Sequence, residues 1–126
     1  MGTCTGMELP YGRDAASIAR RLIAERVGGL PQPLLDDAML LTSELVANAV
    51  LHGSPTVVLR VRVDAAGLTV SVQDGGHEVP TDGIAQPDVY GSHGRGLFIV
   101  AALATAWGVT PSEPPPGKTV WFRLQS

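Results

Sequence analysis

Glu44, Asn48 and His52 follow one another at intervals of four, so on a helix they share one face, a turn apart. An asparagine carbonyl is a hard oxygen of the kind Mg²⁺ accepts, and a carboxylate one turn away can orient or deprotonate a nucleophile beside a metal-bound phosphate. The same spacing also fits a solvated helix face. Asp74-Gly75-Gly76 closes a run of alternating apolar residues. A carboxylate there can accept a hydrogen bond from an exocyclic amine such as that of adenine, while Gly76 lets backbone approach a flat base. Asp-Gly is equally a common turn pair. Gly91-Ser-His-Gly94-Arg-Gly96 runs straight into the apolar stretch from Leu97. Glycines opening a helix present free N–H groups and the positive end of its dipole to an anion, with polyphosphate the natural guest. A flexible loop before a helix start would carry the same residues.

Other phosphate fingerprints fit poorly. The glycines read G-x-x-G-x-G, the wrong order for a dinucleotide fold, and no βαβ unit surrounds them. Gly117-Lys118-Thr119 matches only the tail of a P-loop, because Ser112 stands where the leading glycine belongs and a strand follows instead of a helix.

These residues need a scaffold, and 126 residues supply one domain, spanning 1–126. At 44% hydrophobic and 17% charged, the chain has enough apolar material for a core. A formal net charge of −3 argues against a surface that neutralises nucleic-acid phosphates. No stretch approaches the roughly 18 successive apolar residues of a membrane span, and the first residues do not read as a signal peptide, so a cytoplasmic location is expected. Cys4 has no companion for a disulfide or a thiolate metal site.

Periodicity places the elements. Ala15, Ile18, Ala19, Leu22, Ile23 and Val27 recur at helical spacing before Gly28-Gly29, and a second helix runs from Pro31 to Gly53 with Leu34, Ala38, Leu41, Leu45 and Ala49 on one stripe. The period then becomes two. Val57, Leu59, Val61 and Val63 form one strand, and Leu68, Val70 and Val72 form its hairpin partner across Asp64 to Gly67. Residues 74–96 form a long glycine-rich loop, of a length that is usually functional. A third helix is predicted from Leu97 to Trp107, ending at Gly108, with a short strand around Val109. A closing strand follows, in which Val120, Phe122 and Leu124 alternate with Thr119, Trp121 and Arg123. Residues 1–12 read as a loose N-terminus. The architecture is α+β, a two-layer α/β sandwich with a mostly antiparallel mixed sheet and three main helices on one face.

Taken in order, Glu44/Asn48 on a helix, Asp74-Gly-Gly76 after a strand and Gly94-Arg-Gly96-Leu97 opening a helix resemble the GHKL superfamily of ATPases and kinases, which carries the Bergerat-type ATP-binding fold. Within it the chain looks most like single-domain anti-sigma factor serine kinases and regulatory ATP-binding proteins, over about Asp14 to Leu124. The resemblance implies ATP and Mg²⁺ as ligands. Asn48 would hold Mg²⁺ and Glu44 would be the catalytic base or orienting group. Asp74 would bond the adenine amine and Gly76 would line the base pocket. Gly94, Arg95, Gly96 and Leu97 would form the phosphate loop, residues 77–93 a lid, and Thr119 would help Asp74 hold adenine.

The implied activity is transfer of the ATP γ-phosphoryl to a serine or threonine of an antagonist protein, alongside binding of a sigma factor through Arg20 of the first helix. The alternative is a nucleotide-dependent partner switch without efficient transfer. The resemblance also implies an N-terminal strand that helps form a homodimer, which the loose first dozen residues leave open. His52 suits either a place beside the phosphates or a helix C-terminal cap, and His93 has no assigned role.

Overall fold

The computed structural model describes residues 3–76, 99, 100, 102–112 and 116–125. The two alternating runs form the hairpin the sequence predicts: β2 (Val57–Asp64) pairs antiparallel with β3 (Gly67–Asp74). Its turn is fixed by a carboxylate and a glycine. Asp64 Oδ1 accepts the N–H groups of Ala66 and Gly67, and Gly67 adopts φ +154, where any side chain would collide with the Leu124 carbonyl.

Three further strands complete the sheet, in the order β1-β2-β3-β5-β4, with every described pair antiparallel. β1 (Thr3–Leu9) occupies one edge, paired with β2 from Thr3↔Val63 to Leu9↔Val57. The loose N-terminus expected over residues 1–12 is therefore corrected for this stretch. Thr-Cys-Thr-Gly-Met-Glu-Leu lacks a clear apolar alternation, and its strand character comes from the backbone ladder with β2 and the burial of Leu9.

Two helices cover one face of the sheet. α1 (Ala15–Val27) buries Ala15, Ala19, Ile23 and Val27 at four-residue intervals. α2 (Gln32–His52) starts with Pro33 in its first turn and buries Leu35, Ala38, Leu41, Leu45, Val46 and Ala49. Against them the sheet presents Val57, Leu59, Val61, Leu68, Val70, Val72, Val120, Phe122 and Leu124, all buried. Full burial of each larger side chain stabilises the fold by about 1.5–3 kcal/mol. No described helix is long and apolar enough to cross a membrane.

The third predicted helix ends earlier than its apolar run suggests. Residues 99, 100, 102 and 103 are helical, and the Ala104 N–H bonds the Val100 carbonyl at 2.9 Å. The chain then turns, the Thr105 N–H reaching the Arg123 carbonyl at 2.8 Å, and enters β4 (Ala106–Pro111). Trp107 and Gly108, predicted to end a helix, lie instead in a strand paired with β5 (Lys118–Gln125). In this ladder the Trp121 indole lies over Gly108, where a Cβ would come within 2.8 Å of the ring. Leu97 and the start of that helix lie outside the described residues.

Candidate functional site

The C-terminal end of α2 meets the C-terminal end of β3 through glycines. The Gly53 N–H caps α2 on the Ala49 carbonyl at 3.0 Å, and the Gly75 N–H bonds the Ser54 carbonyl at 2.8 Å. A Cβ at Gly76 would stand 2.8 Å from Gly53 Cα, and one at Gly53 would stand 2.5 Å from the Asp74 carboxylate. Only bare backbone allows this approach. Gly76, read from sequence as a base-pocket residue, is thus part of a close glycine contact, and Gly53 is a second member that the sequence reading assigned only to a helix stop.

Asp74 lies at this junction, 2% exposed. A buried carboxylate requires partners, and this one has two: Oδ1 accepts the Gly76 N–H at 2.7 Å and an N–H of Lys118 at 3.1 Å, while Oδ2 lies 3.0 Å from the same ammonium. The pairing follows from register, since Asp74 and Lys118 are directly opposite in the β3–β5 ladder. Thr119, expected to assist Asp74, stands opposite Gln73 and Thr110. Strand alternation sends its side chain to the other face of the sheet, and Lys118 is the residue that meets Asp74 directly. The signal was present in the sequence, because Lys118 is in phase with Val120, Phe122 and Leu124.

Glu44 and Asn48 are half-buried on the flank of the α2 stripe formed by Leu41, Leu45 and Ala49. Neither side chain has a hydrogen-bond or ion-pair partner among the described residues. Asn48 precedes Gly53 by five residues, on the order of 7 Å along the helix axis, so the amide and the Asp74 carboxylate occupy the same end of the domain. Tyr11 secures that end. Its hydroxyl donates to the Val50 carbonyl at 2.8 Å, with the Gly53 carbonyl also in reach at 3.2 Å, tying the link between β1 and α1 to the last turn of α2. Nothing in the residue spacing pointed to Tyr11.

Arg20 is exposed on α1, away from the buried stripe. A shallow cavity of about 240 Å³ lies among Gly12, Arg13, Ala16, Ala47, Val50 and Leu51, and its lining includes none of Glu44, Asn48 and Asp74. Gly94, Arg95, Gly96, Leu97, His93 and the expected lid over 77–93 lie outside the described residues.

The sequence model of the histidine kinase-like ATPase domain matches residues 8–124, nearly the whole chain. The chain belongs to the histidine kinase-like ATPase family. Among solved structures, the RsbU and RsbW domains of Rv1364c from Mycobacterium tuberculosis superpose with a TM-score of 0.73 at 21% identity. That match covers 97% of this chain and 32% of the other, so the chain spans about a third of that protein and the likeness is one of fold. No curated protein matches the chain. The GHKL-type α+β sandwich expected from the sequence is the fold observed, with two long helices among the described residues.

Proposed function

We propose that this histidine kinase-like ATPase domain binds ATP with Mg²⁺ and acts as a protein serine/threonine kinase in a partner-switching circuit. One observation carries the reading. Asp74 is held rigid at the end of β3 against the helix that bears Glu44 and Asn48, and its Oδ2 retains acceptor capacity beyond the Lys118 contact. A buried acceptor in a wall of bare glycine backbone suits the amine edge of a flat base.

The residues also suit the ion. Asn48 offers a hard oxygen unpartnered among the described residues, and no group of three or more His, Cys, Asp or Glu side chains there forms a metal cage. Mg²⁺ is commonly held by one or two protein oxygens and the substrate phosphates, whose charge it neutralises when bound. In this reading Glu44 orients the attacking hydroxyl of the acceptor protein, and the N–H groups of Gly94, Arg95 and Gly96, with Leu97 opening the helix, receive the phosphates beneath the 77–93 lid. The sequence resemblance to anti-sigma factor serine kinases supports an antagonist protein as acceptor and a sigma factor as the partner of Arg20. β1 supplies the edge strand through which that family forms homodimers.

Titration with ATP and GTP, with and without Mg²⁺, tests the site. ATP should bind in preference to GTP, and Asp74→Asn should weaken ATP by roughly 1.5–3 kcal/mol in protein that remains folded. Equal affinity for the two nucleotides would overturn the base contact. Glu44→Ala should retain ATP binding while losing phosphorylation of a purified antagonist protein, and undiminished transfer would remove Glu44 from the chemistry.

A further inference from the structure

The sequence contains eight arginines and one lysine, and that lysine is Lys118, 4% exposed. An ammonium has three N–H donors. One is donated to Asp74 Oδ1 at 3.1 Å, Oδ2 of the same carboxylate lies 3.0 Å from Nζ, and the ammonium has no other partner among the described residues. Asp74 shows the matching surplus: Oδ1 is filled by Gly76 and Lys118, whereas Oδ2 has one acceptor position left. Among the described residues, an open acceptor and an open donor therefore stand about 3 Å apart, both buried, at the strand ends beside Gly53 and Gly76.

The complement of such a pair is a ligand edge with a donor next to an acceptor. Adenine presents this edge, its 6-amino group beside ring N1, and guanine presents the reverse, a carbonyl beside a ring N–H. We propose that Lys118 is a specificity-determining residue of the ATP site, donating to N1 while Asp74 accepts from the 6-amino group. This rests on the ATP-binding reading above. Guanine in the same pose would set its carbonyl against the carboxylate and its N–H against the ammonium, leaving both buried groups unpaired, the arrangement by which polar sites reject an analogue most strongly. Lysine suits this role better than arginine because its compact ammonium can divide its protons among Oδ1, Oδ2 and a ring nitrogen.

The full chain should be titrated with ATP and with 1-deaza-ATP, in which N1 is replaced by C–H, for the parent and for Lys118→Met. The parent should bind the deaza analogue at least about tenfold more weakly, the loss of one charge-assisted hydrogen bond, and Lys118→Met should bind the two alike. A parent indifferent to the substitution, or a Lys118→Met variant that keeps the parent's preference, overturns the inference. Because Lys118→Met strands a buried carboxylate, a second measurement uses the parent alone. Protein labelled with ¹⁵N at lysine Nζ gives a single side-chain signal, which ATP should shift and 1-deaza-ATP at equal saturation should leave near its free position. An identical response to both overturns the assignment. Absence of ATP binding by the parent sinks the ATP reading itself, whereas ATP binding without the N1 effect sinks only the role of Lys118.

Discussion

A methyl group added at Gly53 would lie 2.5 Å from the Asp74 carboxylate and 2.6 Å from the Ala49 carbonyl, and neither neighbour is the free end of a flexible side chain. Gly53→Ala should therefore cost about 1–3 kcal/mol, as overpacking does, and should weaken ATP binding because Asp74 must move. Thermal unfolding read beside an ATP titration checks both effects, and a variant with the parent's midpoint and affinity would show the contact to be slack. Thr42 provides the opposite case: fully buried on α2, its hydroxyl has no hydrogen-bond partner among the described residues. Thr42→Val should leave stability unchanged or raise it by about 1 kcal/mol in urea unfolding, since the lost group carries a desolvation penalty without a bond to offset it. At this scale Glu44 and Asn48 stand out in the sequence because they interrupt a core-like helix with polar groups, and Asp74 because a carboxylate follows the alternating run. Lys118 was harder to read: its phase with Val120, Phe122 and Leu124 marks it as inward-facing, but its partner lies 44 residues away and strand register joins them.

Helices leave their last carbonyls without intrahelical partners, and α2 directs one of them to a tyrosine from another part of the chain. Tyr11→Phe should cost about 0.5–1.5 kcal/mol and speed amide exchange in the final turn of α2, with little change in β2 and β3. Exchange that is unaltered at Gly53 would mean the hydroxyl does not restrain that turn. Elements with strong periodicity, α1, α2, β2, β3 and β5, could be read from sequence within a residue or two. β1 could not, because an edge strand with a glycine and two threonines owes its conformation to a neighbour. The boundary between the third helix and β4 was misplaced for a related reason. Ala101 to Trp107 is apolar enough for either state, and pairing with β5 decides it.

Across the molecule, Arg123 ties three strands together: its guanidinium reaches Asp64 at the β2–β3 turn and donates to Thr69 at 2.8 Å. The Arg123 hydrogen bond, followed by the Ala66 N–H, holds the Asp64 carboxyl below its ordinary value of 3.8. A depressed carboxylate contributes stability that is fully present above its unfolded value and is lost as pH falls through the lower folded value. Arg123→Met should thus lower stability at neutral pH and flatten its decline through that acid window, as urea midpoints across a pH series would show. A parallel decline in parent and variant would assign the acid sensitivity elsewhere.

The order of the sheet has a consequence for how the chain is made. β5 is the last of the five strands to leave the ribosome, yet it is inserted between β3 and β4. Until it arrives, the β1-β2-β3 meander carries a bare hydrogen-bonding edge and Asp74 lacks its counter-ion. During synthesis that unfinished seam is the site most open to chaperones or to mispairing with another nascent copy.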